Sequence, residues 1–137
     1  MSAFARDDQG RLCAGGMPLG DIAASHGSPL YVYSGDGIRD DYRRFAAAVA
    51  PVDGSVHFAL KANSALGVIG LLARHGAGAD IVSGGEMARA LAAGIPAEKI
   101  VFSGVGKSAE EIGAALDAGI GQILSLIHIS EPTRQSK

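Results

Sequence analysis

Val56-His57-Phe58-Ala59-Leu60-Lys61-Ala62-Asn63 decides the reading of this chain, because it describes a buried strand that ends on a lysine and turns at once into a helix. Alternation sets Val56, Phe58 and Leu60 on one face, and His57, Ala59 and Lys61 on the other. The second face carries a lysine in apolar company. Taking an ammonium out of water disfavours its charge, so a desolvated lysine offers a free amine. A free amine at the end of a strand is what Schiff-base chemistry with an aldehyde needs. The alternative is a strand-end lysine that only points into solvent, since lysine is rarely buried without a partner.

Working outward, the same strand-then-helix grammar repeats. Pro29-Leu30-Tyr31-Val32-Tyr33 reads as a first strand, β-branched and aromatic, and Asp36 to Val49 as a helix with Ile38, Tyr42, Phe45 and Val49 on one face. After Lys61, Ala65 to His75 makes an apolar helix closed by Gly76. Asp80-Ile81-Val82 is the next strand, and Ser83-Gly84-Gly85-Glu86 has capping-box spacing for a helix that stops at Gly94. Ile100-Val101-Phe102 is a further strand, and Ser108-Ala109-Glu110-Glu111 opens a helix to Ala118 with the same spacing. Such alternation predicts an α/β fold with parallel strands joined by right-handed crossovers. An open doubly wound sheet and a barrel remain equally compatible with it. Ahead of this region, Leu19 to His26 reads as a short helix ended by Gly27, and residues 1–17 as a weakly patterned arm broken at Asp8-Gln9-Gly10 and Gly15-Gly16.

Composition narrows the function classes. The 137 residues are 47% hydrophobic and 19% charged with a net charge of −2, as expected of a soluble globular chain. Basic residues are scattered and aromatics are only 5%, which argues against a nucleic-acid partner. No apolar run approaches the roughly 20 residues of a membrane span. The N-terminus has early acids and no continuous apolar region, unlike a signal peptide. The lone Cys13 cannot form an internal disulfide and fits a reducing cytoplasm. His26, His57, His75 and His128 show no metal-ligand spacing, so no metal is expected.

Two glycine-rich stretches imitate nucleotide-binding motifs and fail them. Gly104-Val105-Gly106-Lys107-Ser108 ends like a P-loop, but the first glycine of that motif would fall on Val101. Gly76-Ala77-Gly78 would need its third glycine at Ile81, and it precedes its strand where a dinucleotide fingerprint must follow one. Both read as loops of the α/β fold.

Three motifs in order carry a resemblance: Phe58-Ala59-Leu60-Lys61-Ala62-Asn63, then Gly76 through Glu86, then Ile100 through Ser108. Together they resemble the N-terminal part of the diaminopimelate decarboxylases over about residues 29–123. The resemblance implies a partial parallel (β/α) barrel of the alanine-racemase type, truncated after about four strand units. It divides the chain into an arm and short helix at 1–28, the partial barrel at 29–123 and a tail at 124–137. It further implies pyridoxal 5'-phosphate as cofactor, held covalently by Lys61, and an amino-acid substrate, meso-diaminopimelate, converted to L-lysine. A cytoplasmic homodimer is implied for the full-length protein. Asp80 opens the strand after Lys61 and is a candidate to hold that lysine or the cofactor's surroundings; it reads equally as a turn acid. His57 shares the face of Lys61 and is a candidate to orient the cofactor, or else a hydrogen-bonded core histidine. Ser83 and Glu86 read as helix caps, and Asn63 as a polar contact in its turn.

The acidic residue, glycine-rich loop and arginine that complete such a site in that family come later in the chain and have no counterparts here. A fragment with open strand edges is therefore expected to be inactive alone and prone to aggregate. Leu124 to Arg134 departs from the family and resembles an in-frame translation of a sequencing adapter, so the tail from Leu124 is expected to be non-native. Two rivals remain. One is another pyridoxal barrel enzyme, a polyamine-pathway decarboxylase or a racemase. The other is a short α/β binding protein without catalysis.

Overall fold

The computed structural model describes residues 3–124, which fall in two compact units, Met1–Ala48 and Val49–Lys137. The first unit opens with a three-stranded antiparallel sheet of β1 (Phe4–Arg6), β2 (Leu12–Ala14) and β3 (Met17–Pro18). Asp7 shapes the first turn: its carboxylate accepts from the N–H groups of Gln9 (3.0 Å) and Arg11 (2.9 Å) and pairs with the Arg11 guanidinium at 2.8 Å. Gly15 and Gly16 form the second turn with φ of 55° and 83°. Two successive positive φ angles define a two-residue hairpin turn whose twist matches its strands. The arm expected to be weakly patterned is thus a small sheet. Its strands of two and three residues are too short to display a period of two, and the glycines taken as breakers are the turns that pair them.

Helices α1 (Leu19–His26) and α2 (Gly35–Val49) follow, α1 closing on Gly27 at φ 86°. Between them, Pro29 to Tyr33 is not a strand, which corrects the sequence expectation. Its composition favours an extended backbone, but a strand also needs a neighbour to take its N–H and C=O groups. Among the described residues none does so, and Tyr31 is 90% exposed.

The second unit holds the core. Four parallel strands, β4 (His57–Ala59), β5 (Gly78–Ile81), β6 (Ile100–Phe102) and β7 (Gln122–Ile123), lie side by side in chain order. Helices α3 (Leu66–Arg74), α4 (Gly84–Ala92) and α5 (Ala109–Ala118) make the three crossovers. Register sets Phe58, Ala79 and Ile100 in one row and Ile81, Phe102 and Ile123 in the next. These side chains pack with Ile69, Met87, Ala90 and Ala115 of the helices in a single hydrophobic cluster. The opposite row, Ala59, Asp80, Val101 and Gln122, takes no part in it. A sheet wound in one direction, with its helices packed on one face, is the beginning of a barrel; a doubly wound sheet reverses direction and covers both faces.

The capping boxes differ in outcome. At α5 the box is complete: the Glu111 N–H donates to Ser108 Oγ (3.1 Å) and Glu111 Oε2 accepts from the Ser108 N–H (3.0 Å). At α4, Ser83 caps the Glu86 N–H, but the Glu86 carboxylate reaches one residue further back, to the Val82 N–H at 2.8 Å. Glu111 also accepts from the Gly84 N–H (2.8 Å), so one carboxylate ties the first turns of two helices together. Those backbone donors, Gly84 foremost and then Ser108, hold its carboxyl below its ordinary 4.5. A depressed folded-state value makes the contribution full above about pH 4.5 and lost as pH falls through the lowered value. Glu111→Gln is therefore expected to lower the urea midpoint at neutral pH, with the difference from wild type shrinking below that pH.

Leu124 continues the ladder, its N–H donating to the Phe102 carbonyl at 3.0 Å. The rest of the expected non-native tail, residues 125–137, lies outside the described residues.

Candidate active site

In a one-directional α/β sheet, chemistry gathers at the C-terminal ends of the strands, where loops are free to vary. Here β4 ends at Ala59 and the chain passes into a 3-10 turn, Leu60–Ala62, closed by an Asn63 N–H donating to the Leu60 carbonyl (3.1 Å). Lys61 sits in that turn rather than as the last strand residue. Leu60 is fully buried in the core and fixes the turn, whereas Lys61 is exposed, not shielded in apolar company as the strand reading expected. The cause is the turn itself, which lifts the residue after Leu60 clear of the sheet.

The turn is held from its far side as well. Asn63 Oδ1 accepts from the Ala65 N–H (3.0 Å) at the start of α3, and Arg89 of α4 donates to the Ser64 carbonyl (3.1 Å). Asn63 is thus the turn contact expected of it. Arg89 was not singled out from the sequence, because a hydrogen bond to a backbone carbonyl 25 residues away leaves no local signal.

Asp80 lies on β5 in register with Ala59 on one side and Val101 on the other, on the face away from the core. Its Oδ1 accepts a hydrogen bond from the Ser103 hydroxyl at the end of β6. Ser103 is held there by its own N–H, which donates to the Ile81 carbonyl at 2.9 Å. The fold therefore brings Lys61, Asp80 and Ser103 to the same end of three adjacent strands.

It does not bring His57 there. His57 opens β4, four residues before Lys61, roughly 13 Å along an extended strand. Its Nε2 lies 3.0 Å from Ser55 Oγ, and its ring is packed over Gly78, where a Cβ would come within 2.5 Å of Nδ1. Nδ1 is buried without a hydrogen-bond partner among the described residues.

Lys107, in the loop after β6, is the one buried charged side chain among the described residues, at 9% exposure. Its ammonium donates to the Gly104 carbonyl and stands 5.3 Å from the centroid of the Phe102 ring, a cation–π arrangement. Gly104 runs so close to the Val82 backbone that a Cβ would collide with it. Gly104→Ala is accordingly expected to displace this loop and to raise the labelling of Lys107 by an amine-reactive reagent, read by peptide mass spectrometry.

The donor set fits a pyridoxal group at its aldehyde. Lys61 Nζ has no hydrogen bond or ion pair among the described residues, so its amine is uncommitted. No cluster of metal-ligating side chains occurs among them either. No described helix is long and apolar enough to cross a membrane.

Residues 36–127 match the family model of the pyridoxal-dependent decarboxylases, pyridoxal binding domain. The chain belongs to this family, and pyridoxal phosphate is its cofactor. It is 55% identical over 111 residues to the diaminopimelate decarboxylase of Pseudomonas fluorescens and 50% identical over 119 residues to that of Zymomonas mobilis. These alignments cover 81% and 82% of this chain but 27% and 28% of the relatives, so the chain spans less than a third of their length. The diaminopimelate decarboxylase of M. jannaschii, solved in complex with L-lysine, superposes with a TM-score of 0.83 at 36% identity, covering 89% of this chain and 29% of that one. An ornithine decarboxylase from Entamoeba histolytica shares the fold at a TM-score of 0.61 and 24% identity, covering 66% and 26%.

Proposed function

We propose that this chain supplies the first, lysine-bearing part of a diaminopimelate decarboxylase, which releases one carboxylate of meso-diaminopimelate as CO2 and leaves L-lysine. The observation that carries the reading is the Lys61 amine, without a partner among the described residues, at the C-terminal end of a parallel sheet in a chain 55% identical over 111 residues to a diaminopimelate decarboxylase. When bound, the cofactor supplies an electron sink for the charge left as the carboxylate departs. Lys61 Nζ would hold the cofactor covalently and, once freed by an incoming substrate amine, carry a proton at the reacting carbon. Asp80 would place a carboxylate beside that lysine, with Ser103 bonded to it. His57 stands at the other end of its strand and is read here as packing over Gly78 rather than as a cofactor contact. The full-length protein is read as a homodimer acting in the cytoplasm on an amino-acid substrate, with no nucleic-acid or membrane partner.

The test is to read the source gene from unfragmented DNA across the codons for Ile123 and Leu124, express the frame found there, and assay CO2 release from meso-diaminopimelate against ornithine, arginine and lysine. Turnover of meso-diaminopimelate alone is the expected result. Preference for ornithine or arginine would move the protein to the polyamine branch, and a frame that stops at Lys137 and folds without taking up the cofactor would leave a binding protein.

A further inference from the structure

The charged groups around the Lys61 end of the sheet are nearly all committed. Glu86 is bonded to the Val82 N–H, Arg89 to the Ser64 carbonyl, Lys107 to the Gly104 carbonyl, and Glu111 to Gly84 and Ser108. His57 is bonded to Ser55 at the far end of β4. Two charged atoms at this end have no partner among the described residues: Nζ of Lys61 and Oδ2 of Asp80. Asp80 is in register with both Ala59 and Val101. Ser103 lies two residues beyond Val101 and bonds the carboxylate, and Lys61 lies two residues beyond Ala59, in the turn that follows β4 at the same end of the sheet.

A carboxylate on a free rotor can turn either oxygen toward solvent. A hydroxyl fixed on one oxygen removes that freedom and leaves the other held in one direction, and a hydrogen bond to an ionised acceptor is strong enough to do so. We propose that Ser103 is a positioning residue: its hydroxyl pins Asp80 Oδ1 so that Oδ2 is presented to Lys61 and orients the lysine amine for the incoming aldehyde. The proposal rests on the reading of Lys61 as the cofactor-holding residue. In the sequence, Ser103 stands within the Ile100 through Ser108 motif that carries the family resemblance, with no role of its own assigned to it.

The chain contains four lysines, Lys61, Lys99, Lys107 and Lys137, which serve as internal controls for one another. The 137-residue chain is incubated with pyridoxal 5'-phosphate, reduced with borohydride, and the adduct at each lysine is quantified by peptide mass spectrometry. In the wild type, Lys61 is expected to carry most of the adduct. Ser103→Ala is expected to lower the amount of adduct at Lys61 about three- to tenfold while the amounts at Lys99 and Lys137 are unchanged, the size expected for losing a charge-assisted hydrogen bond that acts through a neighbour. Ser103→Thr, which keeps the hydroxyl, restores it, and Asp80→Asn reproduces the loss.

An unchanged amount of adduct at Lys61 in Ser103→Ala overturns the proposal, as does a loss that Asp80→Asn fails to share. New labelling of buried Lys107 in Ser103→Ala also overturns it, by showing that the bond holds the fold rather than the lysine. A wild-type chain with no preference for Lys61 overturns the proposed function and this inference together, an outcome distinct from the other three.

Discussion

Replacing Lys61 with Ala in the full-length decarboxylase proposed above is expected to abolish borohydride-reducible retention of pyridoxal 5'-phosphate and to cut CO2 release from meso-diaminopimelate by about a thousandfold or more. Two losses combine. The tether that keeps the cofactor in place between turnovers disappears, and so does the proton carrier at the reacting carbon, a role worth about 10²- to 10⁴-fold by itself. Lys61→Arg separates the charge of the side chain from its chemistry, because a guanidinium stays protonated and cannot condense with an aldehyde. It should be as inactive as Lys61→Ala while binding the cofactor noncovalently. The fold should survive both changes, since Lys61 is exposed and the turn that carries it is fixed by its buried neighbour Leu60. Turnover by Lys61→Ala within tenfold of wild type would remove the lysine from the mechanism.

The largest effect on stability is expected at Phe102. Its ring is fully buried, heads the fully buried side chains in volume, and joins β5, β6 and β7 through its register partners Ile81 and Ile123. It also forms the floor beneath the buried Lys107 ammonium. Phe102→Ala is expected to cost about 3–5 kcal/mol, the range for emptying an aromatic core site. Set against a typical total of about 5–15 kcal/mol, that leaves a largely unfolded population at modest urea concentration. Phe102→Leu refills much of the volume but removes the π face, so a smaller loss in urea midpoint with raised labelling of Lys107 would separate the two contributions. A midpoint unchanged by Phe102→Ala would mean that the cluster around β6 is not the cooperative core.

The helices of the second unit were legible almost to the residue, and the reasons are local. Gly76, Gly94 and Gly119 follow their helices at positive φ, and Ser83 and Ser108 cap the first turns of α4 and α5. Short strands were harder to read. Pro29 to Tyr33 has strand composition without a partner, while the arm has partners without a strand-like composition, and pairing is a property of the neighbour rather than of the segment.

The sequence by itself determined that parallel strands alternate with the helices of the second unit, that Phe58 and Leu60 share a core-facing side, and that Lys61 comes at the end of that strand stretch. Each of these depends on spacing within one segment. Only the tertiary structure decided that the sheet winds in one direction, that Lys61 stands exposed on a turn, that His57 lies at the wrong end of its strand to meet it, and that Ser103 closes on Asp80 across 23 residues. Those are facts about which segments become neighbours, and strand order and register bring them about at separations where no local pattern reaches.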